Sequence, residues 1–220
     1  MLGSGIAKHG ACRLIIGVAG GSGSGKSLFA RALAERLRPR PAVLISEDDY
    51  YRRLDPGVDP ARFDFDAPSA RDHAYLAAQL DQLRGGKSIA RPVYSFRIHA
   101  PLKRTVAVPP TEVVIVEGLH VLHDARVRGL LDFSVFLDVD DDVRFIRRLL
   151  RDTRERGRSV RSVVDQYLST VKPAHDAYVG PTKAMADLVL TTRSDGCSSD
   201  EERLAQWLAQ TLAAIAARSL

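Results

Sequence analysis

Residues 13–27 read RLIIGVAGGSGSGKS. The apolar run at 13–18 has the length and branching of a strand buried on both faces. It leads into Gly20-Gly21-Ser22-Gly23-Ser24-Gly25-Lys26-Ser27, which satisfies G-x-x-x-x-G-K-[ST]. A helix is expected over 27–38, with Leu28, Phe29, Leu33 and Leu37 on one side and Pro39 ending it. Strand, glycine loop and helix in that order make a phosphate cradle. The glycines let backbone N–H groups turn onto a β-phosphate, and the helix N-terminus adds positive potential. Lys26 reaches the β- and γ-phosphates. Ser27 supplies an oxygen to Mg2+, a hard cation that takes oxygen ligands. The motif implies binding of ATP or GTP and leaves the reaction open.

The same alternation continues outward. Further strands are expected at 42–45, 111–116, 133–139 and 186–190, and helices at 72–83, 142–154, 160–171 and 201–217. The last helix carries Leu204, Trp207, Leu208, Leu212 and Ile215 at helical spacing, a core-packing stripe. Apolar strands alternating with helices predict an α/β fold with a doubly wound, mostly parallel sheet. The stretch from Asp55 to Thr105 differs: it holds Pro56, Pro60, Pro68, Pro92 and Pro101 and a Gly85-Gly86 break. It reads as an insertion at the carboxyl edge of the sheet, where open α/β folds bind ligands.

Composition narrows the class. The chain has 220 residues, 45% of them hydrophobic and 27% charged, the profile of one soluble domain, or one with a small lid. A wholly disordered chain, a collagen and a disulfide scaffold are excluded. No apolar run approaches the roughly 18 residues that cross a bilayer. Cys12 and Cys197 read as free thiols, and the first eight residues lack the apolar centre of a secretory signal, which points to the cytoplasm. The net charge is +5. Arg144, Arg147, Arg148, Arg151, Arg154, Arg156, Arg158 and Arg161 crowd one stretch, with only Asp152 and Glu155 as acids. Clustered guanidinium groups suit a small phosphorylated ligand as well as a polyanion.

Two acids have suggestive positions. Glu117 ends VVIVEG, at the tip of a central strand, where an acid holds Mg2+ directly or through water. Asp48 follows the strand AVLIS, and an acid there can take a proton from an attacking hydroxyl. Position alone does not rank Glu47, Asp48 and Asp49. His120 and His123 have a loose metal-like spacing, but no Cys or third His accompanies them.

GVAGGSGSGKS at 17–27, SEDDYYR at 46–52, FDAPSARD at 65–72, PVYSFRIH at 92–99, VVIVEG at 113–118, RRLLRDTRERGRS at 147–159, QYLSTVKP at 166–173 and PTKAMAD at 181–187 occur in this order. Together they resemble the uridine kinase (uridine–cytidine kinase) family of P-loop kinases, over roughly residues 13 to 193. The resemblance implies the P-loop containing nucleoside triphosphate hydrolase fold. It implies a flexible N-terminus over 1–12, a kinase domain over 13–193, and a loop and C-terminal helix over 194–220. Within the kinase domain lie a nucleoside-side insertion at 55–107 and an arginine lid at 151–162. Residues 1–10 and 193–200 are expected to be loose.

The implied activity is phosphorylation of the 5′-hydroxyl of uridine or cytidine with ATP and Mg2+. Asp48 would be the general base. Asp66 and Arg148 would hold the ribose 2′- and 3′-hydroxyls. Tyr94 and His99 would read the pyrimidine edge between the aromatic walls of Phe65 and Phe96. Arg151 and Arg156 would contact ATP phosphates from the lid. Arg158 and Gln166 lie in the same region, Gln166 on the substrate side. Arg144, Arg147 and Arg154 are left on a solvated helix face. The implied partner is a small nucleoside, not nucleic acid or membrane, and because uridine kinases commonly form tetramers a homo-oligomer, tetramer or dimer, is implied as well.

Four positions depart from the family pattern. Asn-Phe/Tyr-Asp-His-Pro is here Asp64-Phe65-Asp66-Ala67-Pro68, a Phe that commonly follows is Arg71, and the Gln before the base is Glu47. They ring the acceptor pocket, so a related kinase of the phosphoribulokinase, pantothenate kinase or sugar kinase type is the alternative. The retained Tyr94, Phe96 and His99 argue against it, because a sugar has no base edge to read. A nucleotide-binding protein without turnover would need neither Asp48 nor Glu117.

Overall fold

All seven residues of β1 (Leu14–Gly20) are buried, as expected of a strand covered on both faces. A computed structural model of the chain describes residues 12–60, 63–192 and 199–218. β1 lies at the centre of a five-stranded sheet of order β2-β5-β1-β6-β7. Its neighbours are β5 (Val113–Gly118) and β6 (Phe133–Asp138), with β2 (Ala42–Ser46) and β7 (Leu188–Thr191) at the edges. Every pairing is parallel, as the α/β reading expects.

Helices cover both faces. α1 (Lys26–Arg36) and α7 (Asp200–Ala217) bury Phe29, Leu33, Trp207, Leu208 and Ile215 on one face. α2 (His73–Arg84) and the short α3 (Ala125–Arg128) bury Leu76, Leu80, Leu83 and Val127 on the other. Leu28, expected on the buried side of α1, is 61% exposed. Phe29, one position on, faces the sheet, and successive helical residues point about 100° apart. Ser199 and Asp200, expected to be loose, are the N-cap and first residue of α7, and the Ser199 hydroxyl accepts from Glu202 N at 3.1 Å. Residues 1–11 and 193–198, with Cys197, lie outside the described residues; Cys12 is a buried free thiol.

The insertion contains more than α2. β3 (Ile89–Ser95) and β4 (Ala100–Val108) form an antiparallel hairpin away from the main sheet. Pro92 is accommodated beside a register shift between Pro92 and Tyr94. The hairpin turn carries His99 in the left-handed region, φ 47.

After β6, α4 (Asp141–Arg154) and α5 (Val160–Gln166) carry the arginine-rich stretch. The helix expected over 160–171 continues to Val179. It passes through a π turn at Tyr167–Val171, α6 (Lys172–Ala174) and a second π turn at His175–Val179. No described helix is long and apolar enough to cross a membrane.

Candidate active site

Parallel register brings three strand ends level. Ser46 at the end of β2 pairs with Glu117 in β5, and Glu117 pairs with Val18 in β1, two residues before the glycine loop. One Glu117 oxygen therefore accepts from Ser27 Oγ and Ser46 Oγ, both at 3.0 Å. Burial pushes the Glu117 carboxyl up, and the nearby Lys26 ammonium opposes that. Burial likewise pulls Lys26 down, against the pull of Glu117 and Asp48. A half-buried cation beside two carboxylates suits a ligand that brings phosphate charge. Ser27, Ser46 and Glu117 offer only hard oxygen donors, which fits Mg2+.

The loop itself is shaped by Arg144. A Cβ on Gly23, at φ +83, would lie 2.2 Å from the Arg144 carbonyl oxygen, and one on Gly21 would lie 2.3 Å from its guanidinium. Arg144 is thus not on a solvated face. It is 2% exposed, donates from Nε to Val139 O at 3.0 Å, and pairs with Asp141. The whole helix is turned this way. Arg144, Arg148 and Asp152 form the buried stripe of α4, while Ile146 and Leu150 are exposed. Arg154 is on the exposed side as expected, and Arg147 pairs with Asp200 at 2.5 Å.

Asp152 gathers four arginines. Its fully buried carboxylate accepts from Arg151 at 2.8 Å and faces Arg156 at 3.4 Å and Arg148 and Arg158 at 3.7 Å. Arg148 reaches further, donating to Ser22 Oγ of the glycine loop at 2.8 Å and to Gln166 Oε1 at 2.9 Å. Arg158 also donates to Gln166. The Arg156 guanidinium lies 5.4 Å over the Phe96 ring, so this arginine also faces the aromatic side.

The three adjacent acids differ in burial and partners. Glu47 is completely buried, and Asp49 pairs with Arg91 at 2.8 Å. Asp48 alone keeps a side chain 45% exposed, near Lys26 and Glu117. Asp66 is buried, and its Oδ2 accepts from Thr170 Oγ1 at 3.0 Å. Burial pushes its carboxyl up, against the Arg148 guanidinium.

An aromatic cluster stands beside these acids. Ring contacts link Phe65, Tyr94, Phe96 and His99, and their hub is Tyr51. Its ring lies 5.0 Å from Tyr94, 5.8 Å from Phe65 and 6.1 Å from Phe96. Phe65 stacks on His99 at 5.2 Å. The Tyr94 hydroxyl is buried with no hydrogen-bond partner among the described residues, a group that a ligand would satisfy. Tyr51 was missed in the sequence; its only signal was its place in SEDDYYR. Asp64 does not enter the pocket. It is exposed and closes the turn, accepting from the amides of Asp66 and Ala67 at 2.9 and 3.2 Å.

His120 supports the backbone at Asp66. It is fully buried, and its Nε2 lies 2.8 Å from Asp66 O, the geometry of a donated N–H. No group of three or more metal-ligating side chains gathers among the described residues. Burial pushes the His120 imidazole down to about 4. Above about pH 6.5 the ring is neutral folded or unfolded. Below that the unfolded chain takes up the proton first, so stability is lost as the pH falls from about 6.5 toward 4. His120 should contribute about 2 kcal/mol of the stability lost between pH 7 and pH 5 in urea melts, and His175, which burial also pushes down to about 4, acts in the same window. His120→Gln should therefore reduce that dependence; an identical slope in the variant would contradict the assignment.

The phosphoribulokinase/uridine kinase family model matches residues 15–196. The chain belongs to that family. The kinase is 44% identical to the uridine kinase of Lactobacillus johnsonii over 180 residues, which is 80% of this chain and 85% of that protein. It is similar in fold to the putative fructose transport system kinase of Silicibacter sp. TM1040, with TM-score 0.68 and 22% identity over 84% and 92% of the two chains. It is also similar to a possible uridine kinase from Bacillus stearothermophilus, with TM-score 0.58 and 22% identity over 82% and 89%. At those identities the two structures establish fold alone. Use of a nucleoside triphosphate by the glycine loop follows from the family.

Proposed function

We propose that this kinase transfers the γ-phosphoryl group of ATP to the 5′-hydroxyl of uridine or cytidine, giving UMP or CMP and ADP. The observation that carries the reading is the position of Asp48. Among the described residues it is the one open acid between the glycine loop and an aromatic cluster that contains a buried tyrosine hydroxyl with no partner there. Several relatives at 40–44% identity bear the name uridine kinase.

Each group then has work suited to its chemistry. The glycine loop and Lys26 hold the β- and γ-phosphates. Ser27 and Glu117 would hold Mg2+, which when bound neutralises phosphate charge. Asp66 and Arg148 receive the ribose hydroxyls, with Gln166 behind Arg148. Tyr94 and His99 meet the base edge between Phe65 and Phe96. Asp48 takes the proton of the 5′-hydroxyl as that oxygen bonds to the γ-phosphorus. The bond from the γ-phosphorus to the bridging oxygen breaks, and ADP leaves with the electron pair. Arg151 and Arg156 swing from Asp152 to the phosphates and exclude water.

The reading is tested by incubating the protein with ATP, Mg2+ and either nucleoside and identifying the product. The 5′-monophosphate is expected. A 2′- or 3′-monophosphate, or no product from either nucleoside, would overturn it.

A further inference from the structure

Two of the positions that depart from the family pattern, Glu47 and Arg71, are 24 residues apart, yet they meet in the interior. Their side chains are 0% and 1% exposed, and Arg71 Nε lies 3.7 Å from Glu47 Oε2, a charge contact without a hydrogen bond. Glu47 is held on three other sides. It accepts from His73 Nε2 at 2.6 Å and from the His120 amide at 3.1 Å, and it packs so tightly on Gly118 that a Cβ there would lie 2.2 Å away. Burial alone would push the Glu47 carboxyl up. The Arg71 guanidinium, with His73 and His120, instead holds it well below the usual range. A buried carboxylate anchored in this way fixes a buried guanidinium in turn.

The other edge of that guanidinium faces the site. Arg71 Nη2 donates to Asp48 Oδ1 at 3.1 Å and contacts the Tyr51 hydroxyl. Nη1 donates to Phe65 O at 3.1 Å, and the guanidinium lies 4.1 Å over the Tyr51 ring. One rigid fork therefore spans the open acid, the aromatic hub and the backbone of the acceptor loop. Arg71 itself is too buried to touch substrate. Among the described residues, Asp48 Oδ2 has no hydrogen-bond partner.

We propose that Arg71 is a positioning residue for the base. It clamps Oδ1 of Asp48, so that Oδ2 is the oxygen presented to the acceptor hydroxyl, and Glu47 is the anchor that keeps the clamp in place. The inference rests on the kinase reading above, with Asp48 as base. An exposed aspartate without such a clamp samples several rotamers, and a displacement of about 1 Å at a reacting group can cost on the order of 100-fold in rate.

The test is a kinetic double-mutant cycle on the full chain. Arg71→Met should lower kcat by roughly 30- to 100-fold, with KM for ATP and nucleoside within about threefold. Arg71→Lys should recover little, because an ammonium cannot bridge Asp48, Tyr51 and Phe65 together. The decisive arm is Arg71→Met made in the Asp48→Asn background. If Arg71 acts through Asp48, the second change should cost less than about twofold there. A full 30- to 100-fold further loss would show general structural damage and overturn the proposal, as would a raised KM with unchanged kcat.

Should Arg71→Met fail to fold because Glu47 is left unpaired, Glu47→Gln with Arg71→Met removes both charges together. It should fold and be as slow as predicted for the single variant; wild-type kcat in it would also overturn the clamp. Wild-type turnover of uridine is measured first. If uridine is inert, the acceptor reading fails, and the same cycle is run on whichever hydroxyl compound is phosphorylated, because the clamp acts on the base. If no acceptor is phosphorylated, both readings fall.

Discussion

Asp48→Asn is expected to lower kcat by about 10³-fold with uridine and ATP, because a positioned base typically contributes 10²- to 10⁴-fold. The fold should survive. The Asp48 side chain is 45% exposed, and among the described residues its ion pair is to Arg71, which keeps Glu47, Tyr51 and Phe65 O as partners. An asparagine Oδ1 can still accept from Arg71 Nη2, and the Glu47 carboxylate still balances the buried guanidinium, so the melting profile should stay close to wild type. KM for ATP should also hold, since the glycine loop is untouched. Asp49→Asn is the matched control. Asp49 is turned away onto Arg91, so it should retain most of the turnover. Near wild-type kcat in Asp48→Asn would remove Asp48 from the chemistry.

The second large effect concerns the sugar. With 2′-deoxyuridine in place of uridine, kcat/KM should fall by about 10²- to 10⁴-fold, because a site built to bond a hydroxyl leaves its own polar groups unpaired when that hydroxyl is missing. Asp66 is the group concerned. It is 7% exposed, Thr170 occupies one of its oxygens at 3.0 Å, and burial already disfavours its charge. An unpaired ribose-facing oxygen would stay desolvated at full cost. Asp66→Asn should lower activity on uridine and narrow the gap between the two nucleosides. Equal use of uridine and deoxyuridine by the wild type would contradict the role of Asp66.

Much of this was legible along the chain, for identifiable reasons. The glycine loop needs consecutive residues, so its motif and flanks are visible in one window. Glu117 stands out near the end of a central strand, and the parallel sheet follows from apolar runs. The misses share a different cause. Arg144 looks solvated because arginine usually is, yet it packs against Gly21 and Gly23 of the glycine loop, so α4 buries Arg144 and Arg148 and exposes Ile146 and Leu150. Tyr51 becomes an aromatic hub only once the hairpin of β3 and β4 brings Tyr94 and Phe96 beside it. Asp64, which seemed to threaten the acceptor assignment, is absorbed by a local turn. Glu47 and Arg71 look like two unrelated departures until the turns after β2 and before α2 fold them together.

The most direct test of the account is ADP release by the purified full chain with ATP and Mg2+, run side by side on uridine, cytidine and ribulose 5-phosphate. Rapid ADP release is expected with one or both pyrimidine ribonucleosides, and only background release with the sugar phosphate. Turnover on ribulose 5-phosphate with silence on both nucleosides would show that the phosphate machinery was assigned correctly and the acceptor pocket was not.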